Sequence, residues 1–333
     1  SSVGSGSATV NTLTGQVTAT GAGTVTLLAQ AAANSNYTVA STSTLLVIGR
    51  STPTLQILSP VVMTVGSVTS AITRSLALYS GGGAVSFSIG APGSGISATV
   101  NASTGQITAI RSGVITLIAQ SLGDTNYNAA TTSTLITIGK STPSLSLASV
   151  PAGNAVNVGG ILSITSTSIP PPPGGIVAST GLVSYSVISI GSGSASIDSS
   201  SGLLTAITSG QVLVQGLQGS DVNYYPSLQG SLTISIGAGP QTITFSSSSY
   251  TLVVEESRVI SATNSVVGGG AITYSIQAGS GSATVDTLTG QVTAIGAGTV
   301  TLWAQASANS NYTLARTSTL LTIEKGTQYL SLS

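Results

Sequence analysis

The chain has 333 residues, 41% of them hydrophobic and only 4% charged, with seven basic residues, seven acidic residues and a formal net charge of zero. That balance excludes the basic face a nucleic-acid binder needs and leaves too few carboxylates for a calcium cage. Histidine and cysteine are absent, so disulfides, zinc sites, thiol nucleophiles and imidazole acid–base chemistry are excluded together.

One phrase is written repeatedly. A turn glycine recurs at Gly15, Gly105, Gly202 and Gly290, and a tyrosine after asparagine recurs at Tyr37, Tyr127, Tyr224 and Tyr312. Both markers step by 90, 97 and 88 residues, which suits a whole small domain per copy. The join is repeated too: "IGRSTP" at Ile48–Pro53, "IGKSTP" at Ile138–Pro143, "IGAGP" at Ile236–Pro240 and "IEKGT" at Ile323–Thr327. Joins this short and Pro/Gly-marked are stiff, so beads are expected in an almost straight line, with boundaries near Gly49, Gly139 and Gly237.

In chain order, residues 1–50 hold only the second half of a unit. The opening "SSVGSGSATV" has neither a basic stretch nor an apolar one, so any export signal is expected upstream or already removed. Residues 51–140 form a full unit. Residues 141–238 form a divergent one, in which "SIPPPPGGIV" (Ser168–Val177) replaces a short Gly loop with a stiff protrusion. Residues 239–325 are a third full unit, and 326–333, "GTQYLSLS", read as the first strand of another. A window cut from a longer array is the expectation. The rival idea, that neighbouring chains complete each other's broken units, needs more chain than either end supplies.

Within a unit the period is two. Val300, Leu302 and Ala304 alternate with Thr299, Thr301 and Trp303, and Thr319, Leu321 and Ile323 alternate with Leu320 and Thr322. Leu46, Ile136, Ile234 and Leu321 then fall at equivalent core positions of the final strand. Val285–Ala294, "VDTLTGQVTA", reads as strand, turn, strand, with Asp286 capping the turn and Gly290 taking positive φ. No helical period is sustained, and no apolar run is long enough to span a membrane. Six to eight short strands per unit predict an all-β antiparallel sandwich.

Gly281–Ala306, "GSATVDTLTGQVTAIGAGTVTLWAQA", resembles the bacterial immunoglobulin-like (invasin/intimin-type, Big-like) repeats of large secreted or cell-surface proteins. "ANSNYTLA" (Ala308–Ala315) and "GPQTITF" (Gly239–Phe245) resemble tandem sandwich repeats of very long surface proteins. All four copies match, the third least, with "SSSGLLTAITSGQVLVQG" at Ser199–Gly216. The resemblance implies a tandem array of immunoglobulin-like sandwiches forming an extended rod, located outside the cell or on its surface.

Candidate chemistry is sparse. Glu255 and Glu256 would point to opposite faces of a strand, which suits a solvated strand end better than acid–base work. Asp198 and Asp286 stand where other copies have Asn11 and Asn101, an exchange that fits turn capping rather than metal binding. Asp124, Asp221 and Glu324 have no neighbouring acid in sequence. Lys140 and Lys325 lie in joins, so no lysine per domain exists for an isopeptide staple. Gly81–Gly83 and the "GSGSAT" stretches lack the helix and lysine of a phosphate cradle. Tyr37, Tyr127, Tyr224 and Tyr312 are expected under loops, hydroxyls tied to backbone. Thr24 and Thr26, like Thr299 and Thr301, are outward threonines of sandwich strands. No enzyme activity, cofactor or metal is expected.

Two features point to contacts. The outward position of one strand is Leu28, Ile118, Gln215 and Trp303, apolar in three of four copies. The proline loop, Pro170, Pro171, Pro172 and Pro173, offers a second contact. The expected function is a structural segment of an extracellular fibre or stalk, self-associating and without catalysis. Its partners are copies of itself in a filament or bundle, with a host surface or matrix as a further partner, and neither nucleic acid nor a membrane span. The alternative is an adhesin module recognising host glycan or protein; a terminal unit rich in aromatics or charge would mark it, and the sequence has none.

Overall fold

The computed structural model describes residues 4–58, 62–75, 82–90, 97–169 and 177–328. Pro170, Pro171, Pro172 and Pro173 lie outside these residues, as does Gly81. Among the described residues every regular element is a strand. The chain forms two compact units, one of Ser1–Pro143, Ile169–Gly181 and Ser220–Ser227, the other of Ser144–Ser168, Leu182–Gly219 and Leu228–Ser333.

The period of two is what builds the sheets. In Gly113–Ser121, Ile115, Leu117 and Ala119 are at most 3% exposed, while Thr116 and Ile118 point outward. In Gly298–Ala306, Val300, Leu302 and Ala304 are at most 1% exposed. One-sided burial of β-branched and aliphatic residues against a facing sheet drives the fold.

In the first unit, a four-stranded sheet runs Val62–Thr64, Ala130–Gly139, Gly113–Ser121, Val85–Gly90. It packs against a sheet of Ala98–Val100, Gln106–Ala109 and Val68–Ser70, around Met63, Phe87, Ile107, Leu117 and Ile136. In the second unit the same pairing recurs twice, once around Leu162, Leu204, Val214 and Ile234, and once around Leu252, Tyr274, Val292, Leu302 and Leu321. The sheet that holds the final strand of each full repeat carries one parallel pair: Thr137–Gly139 with Val62–Thr64, Ser235–Gly237 with Ala155–Asn157, and Leu320–Glu324 with Ser249–Val253. A final strand paired in parallel with an early one, in a sandwich otherwise antiparallel, is the immunoglobulin-like arrangement the resemblance implied. Among the described residues, 55–139 and 243–324 each hold nine strands rather than six to eight. Early strands are broken so that one stretch serves both sheets: Ile243–Phe245 pairs with Ala262–Asn264, and after Ser246–Ser248 the chain crosses to pair with Ala315–Glu324.

The recurring turn is as expected. The side-chain oxygens of Asn11, Asn101, Asp198 and Asp286 each accept two backbone N–H bonds, for Asp286 from Leu288 at 3.0 Å and Thr289 at 2.7 Å. The N–H of Thr289 and its hydroxyl hold the Asp286 carboxyl below its usual range, and Ser201 does the same for Asp198. Gly290 has φ 72°, and a methyl group there would sit 2.6 Å from the carbonyl oxygen of Ile260 and 3.1 Å from the Tyr274 ring. Glycine is required twice over, by handedness and by the core ring beneath it. Glu255 and Glu256 lie in a turn rather than on a strand: Glu255 has φ 76°, and the Glu256 carboxylate accepts the Val253 N–H at 2.9 Å.

Ile136, Ile234 and Leu321 are fully buried, but Leu46 is only half-buried. In residues 4–50 two hairpins, Ser7–Val10 with Val17–Gly21 and Gly23–Ala31 with Ala40–Ile48, face each other, and among the described residues no further strand pairs with either. An open groove of about 410 Å³ between them is lined by Val10, Val17, Val25, Leu27 and Leu46. Ile136→Ala, Ile234→Ala and Leu321→Ala are each expected to cost about 2–5 kcal/mol in denaturant unfolding, and Leu46→Ala clearly less, because less surface leaves water there.

Candidate interaction surfaces

A second recurring turn forms the joins. Asn34, Asp124, Asp221 and Asn309 each head a four-residue turn ending in tyrosine, and one side-chain oxygen accepts two N–H bonds, as Asp124 does from Asn126 at 2.8 Å and Tyr127 at 2.9 Å. This Asx geometry needs only an acceptor, so Asn and Asp serve alike. It frees the asparagine two residues on to point outward. Asn126 Oδ1 accepts the Ala22 N–H at 2.8 Å, Asn223 Oδ1 the Ser112 N–H at 3.1 Å, and Asn311 Oδ1 the Ser209 N–H at 2.9 Å. Each donating N–H belongs to a tip where the chain passes between sheets, just before a glycine of positive φ: Gly23, Gly113 or Gly210.

The backbone completes the contact. Ser51 donates to the Asn126 carbonyl at 3.0 Å and accepts from Asn128 at 2.8 Å. Ser141 makes the same pair of bonds with Asn223 and Tyr225, and Gly239 with Asn311 and Thr313. The join residue thus forms a parallel bridge to Tyr127, Tyr224 or Tyr312. Lys140 adds a bond from its ammonium to the Asp221 carbonyl.

The tyrosines differ according to what covers them. Tyr224 is fully buried, its hydroxyl donates to the Val177 carbonyl at 2.8 Å, and burial, then the Asp221 charge, raises its pKa. Tyr127 and Tyr312 are half-buried, the latter against the core of Leu162 and Leu204. Tyr37 is 75% exposed, which departs from the expectation of a ring under a loop. The ring caps a join wherever a tip lies against it. The role was not visible from one copy's sequence; the fixed spacing from the join residue to the Asn–Tyr pair was the signal available.

Asp221 anchors most. Burial opposes its ionisation, but N–H bonds from Thr180, Asn223 and Tyr224 and the Ser179 hydroxyl outweigh it and hold the pKa at about 2. Asp124 is held low chiefly by the Asn126 N–H, with Gly82, Tyr127 and Arg50 adding to it against burial.

On the outward strand faces, Leu28 is 60% exposed. Ile118 and Trp303 are half-buried, Ile118 lying over Gly90. Trp303 donates from Nε1 to Gln277 Oε1 at 2.9 Å, and the Arg316 guanidinium sits 3.9 Å above its ring. The neighbouring strand adds residues that the single-strand reading missed: Leu45 diagonal to Leu28, Val47 opposite Thr24, and Leu135 diagonal to Ile118, at 61–71% exposure. The same alternation, applied to the partner strand, would have found them. Among the described residues no three acidic side chains come together as a metal site, and no helix is long and apolar enough to cross a membrane.

No protein-family model matches the chain, and no curated protein sequence matches it. It is similar to Drosophila N-cadherin EC1-4 (11% identity, TM-score 0.29, covering 96% of this chain and 90% of that one). It is also similar to Sidekick-1 immunoglobulin domains 1-5 (15%, 0.27, 96% and 71%) and to invasin, a bacterial integrin-binding protein (14%, 0.28, 92% and 66%). At these identities and TM-scores, the fold rests on the strand pairings themselves.

The depressed Asp221 pKa fixes a pH dependence. Its contribution to stability is complete above the ordinary carboxylate value of 3.8 and is lost as pH falls toward about 2. Thermal melts of the native chain are expected to fall more steeply through that window than those of Asp221→Asn.

Proposed function

We propose that the chain is a structural segment of an extracellular fibre or cell-surface stalk, made of sandwich repeats with boundaries near Gly49, Gly139 and Gly237, self-associating and without catalysis. The observation that carries this reading is the join, built the same way at Ser51, Ser141 and Gly239. Each join commits two backbone bonds, one amide side chain and one aromatic ring to fixing the next sandwich. A tether that only spaces binding heads needs none of these. The constellation supplies stiffness and carries no reacting group.

The surface suits lateral packing. Net charge near zero removes the usual repulsion between copies. Leu28, with Leu45 and Val47 on the neighbouring strand, presents apolar surface that a neighbour would cover. Full burial of Leu28 is worth about 1.5–3 kcal/mol. Trp303 does not favour the adhesin alternative, because its own Arg316 occupies the ring face a sugar would stack on.

Electron micrographs of the native chain are expected to show filaments that thin or disperse in the Leu28→Ser, Trp303→Ser double variant. Filaments bundled as before would remove the lateral contact and leave a passive stalk.

A further inference from the structure

Residues 281–325 repeat residues 6–50 almost word for word, differing at nine of 45 positions. Four of the nine fall at outward positions of two paired strands, Gly298–Ala306 and Ala315–Glu324. Trp303 stands for Leu28, Arg316 for Ser41, Thr322 for Val47 and Glu324 for Gly49. The inward residues beneath them, Val300, Leu302, Leu321 and Ile323, are those of the first copy, Val25, Leu27, Leu46 and Ile48. In residues 51–140 the places of Arg316 and Glu324 are held by Thr131 and Gly139. The core therefore needs none of these changes, and they give this one sandwich an outer face of its own.

That face has a simple charge pattern. The four strands of the sheet, Ser249–Val253, Ala315–Glu324, Gly298–Ala306 and Ile272–Gln277, contain two charged residues, Arg316 and Glu324. Both are exposed on the same side of one strand, and among the described residues neither forms an ion pair. Eight residues apart, they stand about 26 Å from each other along the strand. Midway between them is Leu320, 45% exposed. The Arg316 guanidinium is held 3.9 Å above the Trp303 ring, and Trp303 is itself tied to Gln277. Stacking uses the guanidinium's face and leaves its N–H edge for an anion. The place of Glu324 is open also where another repeat follows: Gly237 is exposed and Gly139 half-buried.

We propose that this face packs on the same face of a second copy, strands antiparallel, about a two-fold axis that crosses the final strand at Leu320. The axis sets Arg316 opposite Glu324 of the second copy and Glu324 opposite its Arg316. Leu320 meets its own counterpart, and Ser318 meets Thr322. The parallel arrangement would set Arg316 on Arg316 and Glu324 on Glu324, so the charges select direction and register. A face of four strands, about 19 Å by 26 Å, buries about 1,000 Å² counting both copies, the size of a weak, reversible contact. Being two-fold, the contact closes at two chains. This rests on the self-association reading and adds a face, a direction and a symmetry that the Leu28 surface does not supply.

Sedimentation equilibrium of the whole chain tests it. The native chain is expected to rise above its 32.4 kDa monomer mass with concentration. Arg316→Glu creates two like-charge contacts per dimer, as does Glu324→Arg. Each variant should need about tenfold or more higher concentration for the same association. Mixed in equal amounts, the two variants regain both ion pairs and should associate as the native chain does. Leu28→Ser should leave this association unchanged. A reversed variant that associates like the native chain, or a mixture no better than its components, would overturn the proposal. If Arg316→Glu still forms bundles of native thickness, the Leu28 surface stands and the two-fold contact does not. A native chain that stays monomeric removes both. Melting temperatures should be unchanged, since both side chains are exposed. Should Arg316→Glu lower the melting temperature by unstacking from Trp303, Glu324→Arg and Glu324→Gln decide: both should associate more weakly than the native chain, the first more weakly than the second, and native-like association of either would overturn the proposal.

Discussion

At each join one side-chain amide, Asn126, Asn223 or Asn311, accepts a backbone N–H from the tip before it, beside the two backbone bonds of the join residue. It needs an Asx turn to aim it, a glycine of positive φ to present an N–H, and a join short enough to bring the two together. The bond is neutral on both sides and depends little on ionic strength. In a chain with fourteen formally charged residues among 333, neutral bonds are the ones available to order the repeats.

The sandwich supplies the rigid ends that make such a joint useful. The two sheets face each other across one core, and the crossing of early strands between sheets ties them together. Tyr274, in the core, donates no freedom to the turn below it: its ring fills the space under Gly290, and its hydroxyl accepts the Ala262 N–H at 2.9 Å. Core, turn and tip are thus one packed series, and a joint made at the tip is referred to the core.

Much of this was legible in the sequence. The alternation in Gly298–Ala306, the capping role of Asp286 and the buried places of Ile136, Ile234 and Leu321 followed from period and turn chemistry alone. What was not legible is instructive. Leu46 obeys the same pattern as Leu321 but lacks a full facing sheet, and alternation reports direction rather than cover. The acids at Glu255 and Glu256 sit in a turn because Glu255 takes positive φ without being glycine, which composition gives no hint of. The role of the Asn–Tyr pair was hidden because its partners lie 102–111 residues away in sequence, beyond any local signal. Trp303 read as a bare apolar surface because Arg316 and Gln277 reach it only across neighbouring strands.

The interchange of Asn and Asp at the head of both turns bears on chemical ageing. Asparagines in exposed turns lose their amide slowly in water. Here the head residue uses its oxygen only as an acceptor, and the sister copies already carry the hydrolysed form: Asp198 and Asp286 beside Asn11 and Asn101, Asp124 and Asp221 beside Asn34 and Asn309. Conversion to aspartate at these positions leaves the turn's bonds in place and adds charge that the chain otherwise lacks. An aged chain would keep these turn bonds while gradually acquiring a negative charge that a new one is without.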